Sequence, residues 1–403
     1  MHGPAPAYRL APGDPLSCRV NVVQASNLQR HARNPAALLV AALLSLLGSC
    51  TVTGPNTALR IPLTTADVAT VPSIVDGRAR YRALFCAVLS NSEPGAPERR
   101  CDDILWRLPG EAPPLPAATG PSVLDPHMRL LIVGGAFSDC FPPASTAFFR
   151  SATQLRKMGL TVEYAAISGR SSSEFNARII ATHIAALPAN GRGPLVVVAH
   201  SKGTADVLET LARYPETASR VAAVVSVAGA VNGSPLAELY PGLYDRLFGT
   251  RAIGRCPAGD GAFLTSLRPS TRRAWLTDNT LPGSVRFYSM VAFTAPPRLA
   301  RALAYPQQQL SKFDVRNDGQ LLALDQLIPG STLLGYLNED HWAVAVSIED
   351  AFPVLAHRPV GPHPLPQQAM LEAILLLVQQ DLAAGAAFGS ALTRADAGNI
   401  LGD

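Results

Sequence analysis

The sequence lacks the features that mark several large classes of protein. Only 16% of its 403 residues are charged, its formal net charge is +4, and no run of Lys and Arg is interleaved with aromatic residues. A surface that binds nucleic acid needs such a concentration of positive charge, so we expect no nucleic-acid partner. No two cysteines have the CxxC spacing of a zinc site, and no G-x-G-x-x-G segment marks a nucleotide or flavin site. We therefore expect neither a metal nor a cofactor.

Apolar residues and prolines are abundant instead. Hydrophobic residues make up 48% of the chain, which is enough for a large core. Many of the 35 prolines lie in 108–126, 295–306 and 352–366, and this composition predicts loops or linkers there. The simplest organisation is one large domain with insertions.

An apolar run at 35–47 is too short to cross a membrane as a helix of the mature protein, but it has the length of a signal-peptide core. Basic residues precede it, and Leu-Gly-Ser-Cys ends it at Cys50. This ending resembles the bacterial lipobox, in which the cysteine is lipidated and becomes the new N-terminus. We predict that residues 1–49 are a leader and signal peptide. The alternative is a buried helix that ends in a cysteine.

A lipid on Cys50 would attach the protein to a bilayer, since each buried CH₂ group contributes about 0.8 kcal/mol. The lipobox resemblance therefore implies an exported protein that is lipid-anchored in the bacterial cell envelope. Thr51 stands where an aspartate retains such lipoproteins at the inner membrane of enteric bacteria. This difference favours the outer membrane, facing the periplasm or the cell surface.

Export also changes how the remaining cysteines are interpreted. After removal of the leader and use of Cys50, four cysteines remain: Cys86, Cys101, Cys140 and Cys256. An even set in an oxidising compartment predicts two disulfides. Of the three pairings, Cys86–Cys101 is favoured because it closes a short loop that contains Pro and Gly, and it leaves Cys140–Cys256. Buried free thiols are the alternative.

From Met128 onward, apolar strands alternate with amphipathic helices. Strands are predicted at 128–135, 160–167, 194–199, 221–229, 284–292 and 332–338, and helices at 145–159, 171–187, 204–215 and 366–383. This order predicts an α/β fold with a mostly parallel, doubly wound sheet and helices on both faces. In such sheets, ligands bind at the carboxyl ends of the strands.

Together with the leader at 1–49, the pattern divides the chain into four parts. We predict an N-terminal extension at 50–127 with edge structure and a helix, a main domain at 128–390, and a C-terminal tail at 391–403. Within the main domain, the alternation lapses at about 236–285. This insertion is either a helical cap, whose leucines and tyrosines offer an apolar acyl pocket, or a surface excursion of helices.

The residues Ala-His-Ser-Lys-Gly at 199–203 end a predicted strand and open a predicted helix. This strand–turn–helix order is the context of the G-x-S-x-G nucleophile elbow, in which small residues flank the serine because the turn is tight. Alanine replaces the first glycine, and its methyl group can still be accommodated. We predict that Ser201 is a nucleophile. The alternative is a serine that lies between small residues by chance.

A serine hydroxyl is a weak nucleophile near neutral pH and needs a general base, which in this arrangement follows it along the chain. Three histidines follow Ser201, namely His341, His357 and His363. His341 comes directly after the strand predicted at 332–338, where a loop can carry it over the strand ends. The other two lie in a proline-rich segment. We predict His341 as the base, and the alternative is a solvated loop histidine.

The acid of such a triad holds the imidazole in one tautomer and stabilises the imidazolium ion. Asp318 fits this role best, because Asn-Asp-Gly at 317–319 predicts a turn and apolar residues follow it. Asp314 and Asp325 are its rivals. The alternative for Asp318 is a turn-forming aspartate without a further role.

An oxyanion hole needs two backbone N–H groups that point at the developing negative charge. The residue after the nucleophile, Lys202, supplies the first by its position. The second is expected from the segment 134–137, in which Ala136 is preferred over Phe137. The side chain of Lys202 is expected at the mouth of the site, solvated at the surface.

Residues 128–380 resemble the lipase and esterase branch of the α/β-hydrolase superfamily. The motifs that carry this resemblance follow the family order: GGAF at 134–137, AHSKG at 199–203, NGSP at 232–235, NDGQ at 317–320 and DHW at 340–342. Gly-Gly replaces the usual His-Gly before the oxyanion residue.

The resemblance implies the α/β-hydrolase fold and the hydrolysis of carboxylic esters, either small molecules or lipids, through a Ser-His-Asp triad and an acyl-enzyme. Two alternatives stay open: an acyltransferase that uses the same triad, and a non-catalytic envelope lipoprotein of the same fold. The presence of all three triad members argues against the second. No protein partner is inferred.

Overall fold

The structure is a computed structural model and describes residues 73–92, 99–108, 111–113, 123–188, 193–239, 245, 249–346 and 365–399. The predicted leader and the lipidation site Cys50 lie outside these residues. So do the candidate histidines His357 and His363. Within the described residues, no helix is both long enough and apolar enough to cross a bilayer.

Runs of valine, leucine and isoleucine form the strands, because β-branched and apolar side chains suit a sheet that is covered on both faces. The strands are β1 (Val75–Asp76), β2 (Arg129–Val133), β3 (Thr161–Tyr164), β4 (Leu195–His200), β5 (Ala223–Val227), β6 (Arg286–Ala292) and β7 (Thr332–Leu337). In the described part of the chain they form a seven-stranded sheet in the order β1-β7-β6-β5-β4-β2-β3. Every neighbouring pair is parallel, as the alternating pattern predicts.

The α-helices of the described residues connect or flank these strands. They are α1 (Arg78–Ser92), α2 (Arg99–Ile104), α3 (Phe149–Lys157), α4 (Ser173–Ala186), α5 (Lys202–Arg213), α6 (Pro215–Ala218), α7 (Pro235–Leu239), α8 (Phe263–Ser266), α9 (Pro269–Asp278), α10 (Ala304–Leu310) and α11 (Gln367–Asn399). The last helix continues well beyond the predicted end at residue 383, because alanine-rich sequence follows and favours helix.

The core lies on both faces of the sheet. Along β4, Val196 and Val198 face the cluster that includes side chains of α1 and α11, and Val197 and Ala199 face the cluster of α4 and α5. All four residues are completely buried. This burial on both faces explains why the strand is a continuous apolar run instead of an alternating one. The result is a rigid base for the turn that follows β4.

Two disulfides fasten the periphery to this core, and both predicted pairings are confirmed. Cys86–Cys101 joins α1 to α2. Cys140–Cys256 joins the segment after β2 to the predicted insertion. The guanidinium of Arg170 also holds the insertion, since Nη1 donates to the carbonyl oxygens of Arg251 and Pro257, both at 2.9 Å.

Candidate active site

Ser201 occupies the sharp turn between β4 and α5. Its backbone has φ 57° and ψ −130°, a conformation that costs energy for any residue except glycine. Such a strained strand-to-helix turn is the defining feature of a nucleophile elbow. The turn raises the serine side chain at the carboxyl end of β4.

The small residues around Ser201 are required by close packing of the backbone. A Cβ atom on Gly203 would lie 2.3 Å from the carbonyl oxygen of Gly134, so the helix can pass β2 only without a side chain there. A Cβ atom on Gly135 would lie 2.7 Å from the Cβ of Ser201. The glycines thus bring the segment after β2 directly against the serine.

The structure brings together the predicted nucleophile, base and acid. His341 Nε2 lies 2.8 Å from Ser201 Oγ, and His341 Nδ1 lies 2.7 Å from Asp318 Oδ2. His341 is 5% exposed and Asp318 is completely buried. The three side chains come from loops after β4, β6 and β7, so the parallel sheet gathers them at one edge.

Hydrogen bonds hold the Asp318 carboxylate in place. Its Oδ1 accepts from the backbone N–H groups of Gln320 at 2.8 Å and Leu321 at 2.7 Å. The backbone N–H of His341 donates to the Asp318 carbonyl oxygen at 2.9 Å. Gly319, which lies between Asp318 and Gln320 in the chain, has a φ of 91° and so allows the tight turn. Asp318 is therefore both fixed and aligned to accept a hydrogen bond from His341 Nδ1–H.

The two rival aspartates have other surroundings. Asp314 forms an ion pair with Arg316 at 2.7 Å. Asp325 lies in a 3₁₀ turn, and burial raises the pKa of its carboxyl to about 6. The hydrogen bond of His341 Nδ1 goes to Asp318.

His200 is a neighbour of the site that the sequence analysis missed. It is 3% exposed, and its Nε2 donates to the carbonyl oxygen of His341 at 3.0 Å. Burial, and second the proximity of His341, lower the pKa of His200 to about 3, so its ring is neutral at physiological pH. A neutral ring steadies the His341 backbone without adding a positive charge that would oppose an imidazolium ion on His341. In the sequence, the position of His200 directly before Ser201 was the one sign that its side chain lies near the site.

The backbone groups proposed for an oxyanion hole belong to two segments, the start of α5 and the segment after β2. The N–H of Phe137 donates to the Gly169 carbonyl oxygen at 2.9 Å, so it is already used, which favours Ala136 as the donor. Lys202 is the first residue of α5, where N–H groups have no acceptor within the helix. Gly135 lies against Ser201 and connects to Ala136 in the chain.

The expectation that the Lys202 side chain is solvated at the surface is wrong. Lys202 is completely buried, and its Nζ lies 2.7 and 2.8 Å from the two carboxylate oxygens of Asp206. Asn176 of α4 donates to the same carboxylate at 2.8 Å. Burial lowers the pKa of the Lys202 ammonium, while Asp206 opposes this effect. The helix turns the side chain inward because an acceptor lies one turn further along.

Among the described residues, no group of three or more His, Cys, Asp or Glu side chains could hold a metal ion. What the site does offer is a serine, a histidine and an aspartate connected by hydrogen bonds at the carboxyl edge of a parallel sheet. This combination of sheet, elbow and Ser…Asp…His chain order defines the α/β-hydrolase fold.

Comparison with known proteins agrees with this class. A metagenomic carboxyl esterase of known crystal structure is 36% identical, with a TM-score of 0.71, and the match covers 85% of this chain and 99% of that one. The mature lipase of Bacillus licheniformis is 18% identical, with a TM-score of 0.42 and 59% and 97% of the two chains covered. The Staphylococcus hyicus lipase is 12% identical, with a TM-score of 0.48 and 66% and 99% covered.

Neither a protein-family model nor a curated protein gives a significant match. The similarity to the carboxyl esterase extends over nearly the whole length of that protein and includes the fold described above. The chain therefore belongs to the lipase and esterase branch of the α/β-hydrolase superfamily, a class of carboxylic-ester hydrolases.

Proposed function

We propose that the protein hydrolyses carboxylic esters with Ser201 as nucleophile, His341 as general base and Asp318 as the acid of the triad. One observation carries the proposal: a continuous chain of short hydrogen bonds runs from Ser201 Oγ through both ring nitrogens of His341 to the buried carboxylate of Asp318. The membership in the esterase branch supports the same chemistry.

In the first step, Ser201 Oγ attacks the ester carbonyl carbon while His341 Nε2 takes the hydroxyl proton. Asp318 accepts the Nδ1–H hydrogen bond and stabilises the imidazolium ion, without taking the proton. The carbonyl oxygen becomes negatively charged, and the N–H groups of Lys202 and Ala136 are our proposed donors to it. Such preorganised donors lower the barrier most when water is excluded.

In the second step, the bond between the carbonyl carbon and the alcohol oxygen breaks. His341 gives its proton to the departing alkoxide, and the acyl group stays on Ser201. Water then repeats the sequence, with His341 as base toward water and as acid toward Ser201 Oγ. The products are a carboxylic acid and an alcohol, and the enzyme regains its initial protonation state.

The proposed substrates are small-molecule or lipid esters, and the proposed place of action is a membrane surface in the bacterial cell envelope. The apolar run at 35–47 and the lipobox-like ending at Cys50 support this location. A tethered esterase would meet poorly soluble esters at a high local concentration.

Three alanine variants test the catalytic assignment. Ser201→Ala and His341→Ala should each lower kcat/KM for p-nitrophenyl acetate by several orders of magnitude, because triad members act as a unit. A fluorophosphonate should label wild-type protein at Ser201, as peptide mapping would show. His357→Ala is the matched control, since His357 is the rival base and should be dispensable. Loss of activity in His357→Ala but not in His341→Ala would refute the assignment.

Failure of the wild type to cleave any carboxylic ester, despite labelling of Ser201, would refute hydrolysis itself. Transfer of the acyl group to an added alcohol in preference to water would instead identify an acyltransferase. Two parallel reactions, one with and one without an acceptor alcohol, distinguish these outcomes through the amounts of free acid and new ester that form.

A further inference from the structure

A buried glutamine contacts the acid of the proposed triad. Gln326 ends the 3₁₀ turn Leu324–Gln326 in the loop that carries Asp318, and it is completely buried. Its Oε1 accepts from the backbone N–H of Ala292 at 2.7 Å, and its Nε2 donates to the carbonyl oxygen of Ala292 at 2.8 Å. Ala292 is the last residue of β6, a strand with a neighbour on each side. The amide group therefore holds this loop to the end of an interior strand.

The second N–H of the same amide group donates to Asp318. Nε2 lies 3.4 Å from Asp318 Oδ2, the oxygen that also accepts from His341 Nδ1–H. The surroundings determine which end of the amide is the donor. If the two ends were exchanged, Oε1 would face a carbonyl oxygen and a carboxylate, and Nε2 would face an N–H group. The observed orientation of Gln326 is thus the one that pairs each donor with an acceptor.

Gln326 completes the hydrogen bonding of a buried carboxylate. An ionised carboxylate offers about four acceptor positions. Asp318 Oδ1 accepts from the backbone N–H groups of Gln320 and Leu321, and Oδ2 accepts from the side chains of His341 and Gln326. A buried charge is costly unless such partners replace its hydration. Gln326 supplies the fourth donor, and the same amide group is itself fixed to β6.

We propose that Gln326 is a positioning residue of the triad, which acts through Asp318. The proposal rests on the proposed function and deepens it, because it adds a fourth side chain to the three that carry the chemistry. With Oδ2 held by an amide that is fixed to β6, the carboxylate stays directed at His341 Nδ1 while the imidazolium ion forms and disappears. Loss of this donor frees the carboxylate to turn, so that it stabilises the imidazolium ion less well.

Removing the amide tests the proposal. Gln326→Met keeps an unbranched side chain of similar length and removes the donor. The full chain and its variants are assayed with p-nitrophenyl acetate, and active sites are counted by complete reaction with a fluorophosphonate, so that unfolded molecules do not enter kcat. We expect kcat to fall about tenfold, the scale of one hydrogen bond to a charged group, and KM to change less than about twofold, because substrate does not reach the buried amide.

Ser289→Ala is the matched control. Ser289 of β6 is also completely buried, and its Oγ accepts from the backbone N–H of Ile328 at 3.0 Å. Its other hydrogen bond joins it to Ser331 Oγ at 2.8 Å. Ser289 therefore holds the same loop to the same strand through groups other than the triad, and we expect its kcat per active site to stay near the wild-type value. A loss of kcat equal to that of Gln326→Met would overturn the proposal, because any loosening of the loop would then suffice.

A double variant separates positioning of the acid from a general structural role. If Gln326 acts through Asp318, its replacement has nothing further to disturb once the carboxylate is gone. Gln326→Met should therefore lower kcat by a factor of about ten in the wild-type background and of about one in the Asp318→Asn background. Equal factors in the two backgrounds would overturn the proposal.

A second substitution decides the question if Gln326→Met does not fold. Gln326→Glu keeps the shape of the side chain and the acceptor for the Ala292 N–H, but it replaces the donor toward Asp318 by a carboxyl oxygen. Its kcat should fall at least as far, and a wild-type kcat would overturn the proposal alone. Absence of acetate hydrolysis in the wild type, or wild-type activity in Asp318→Asn, is a separate result, which would overturn the proposed triad and this proposal with it.

Discussion

Asp318 and Asp325 are two buried carboxyl groups in one loop with opposite surroundings. Asp318 accepts two backbone N–H groups on Oδ1 and faces His341 with Oδ2. Asp325 Oδ2 is buried and has no hydrogen-bond partner among the described residues. Burial therefore raises the pKa of Asp325 to about 6, the behaviour of a carboxyl group that loses hydration without a replacement. One loop thus combines a carboxylate suited to a triad with a carboxyl group that costs stability when it ionises.

The first prediction concerns the pH dependence of stability at Asp325. The pKa of Asp325 in the folded state exceeds the unfolded value, so the contribution of this group to stability is fully present below about pH 4 and is lost as pH rises through about 6. Asp325→Asn removes the ionisation, and the free energy of unfolding at pH 8 should rise above wild type by on the order of 3 kcal/mol. At pH 4 the gain should disappear. Urea unfolding at both pH values measures it, and an equal difference at both would contradict the burial argument.

The candidate triad could be predicted from sequence because Ser201 and His341 each come directly after an apolar strand, and because Asn-Asp-Gly at 317–319 predicts a turn at Asp318. The sequence around Ser201, Asp318 and His341 therefore predicts both the chemistry of these residues and their position at one edge of the sheet. His200 and Lys202 could not be placed in the same way. For Lys202 the reason is that lysine is seldom buried unless it is paired. Its burial depends on α4 covering it, a contact between residues distant in the sequence. The one available signal was Asp206, one helical turn after Lys202.

At the scale of secondary structure, α5 connects the nucleophile elbow to α4. The buried carboxylate of Asp206 receives the ammonium of Lys202 and the amide of Asn176 at the same time. Asn176 also donates to the carbonyl oxygen of Ser168 at 2.9 Å. A charged pair in the interior, with its hydrogen bonds satisfied, thus links the start of α5 to α4 and to the loop before it.

The second prediction is that the two halves of this pair are strongly coupled. Lys202→Met should lower the free energy of unfolding by about 3–5 kcal/mol, because it leaves the Asp206 carboxylate buried without a counter-charge. Lys202→Met with Asp206→Leu should recover most of that loss. Urea unfolding of the two single variants and the double variant gives the coupling energy.

An ion pair between two exposed side chains is the control for this cycle. Arg213 of α5 and Glu174 of α4 lie 3.2 Å apart, and their side chains are 44% and 70% exposed, whereas those of Lys202 and Asp206 are 1% and 0% exposed. Glu174→Gln should therefore cost less than about 1 kcal/mol. Equal costs for both substitutions, or additive effects in the cycle, would show that burial of the pair is energetically unimportant.

Element boundaries show where sequence patterns reach their limit. The strand predicted at 194–199 is β4 with a shift of one residue, because β-branched runs between turn residues are unambiguous. The helix predicted at 145–159 begins only at Phe149, since Pro143 opens a 3₁₀ turn before it. Proline is tolerated in a first turn of either kind, so the pattern alone does not separate the two.

At the scale of the whole molecule, a disulfide and a hydrogen bond join the predicted insertion to two other segments of the chain. Cys140–Cys256 ties it to the segment after β2. Asp260 accepts from the backbone N–H of Ser172, at the start of α4, at 2.9 Å. Both contacts join parts of the chain that are far apart in the sequence. Whether the insertion covers the substrate stays a prediction of the sequence pattern.

The last prediction concerns the attachment of the molecule to a membrane, through residues outside the described part of the chain. A single acyl chain gives only marginal binding, whereas two or more chains on one cysteine give stable anchoring, at about 0.8 kcal/mol per buried CH₂. Cys50→Ser should therefore abolish metabolic labelling by fatty acid and move the protein from the membrane fraction to the soluble fraction. Cys18→Ser, which alters the other cysteine of the N-terminal region, should leave both properties unchanged. Membrane fractionation of Cys50→Ser equal to that of the wild type, together with an unlabelled wild type, would contradict anchoring through this residue.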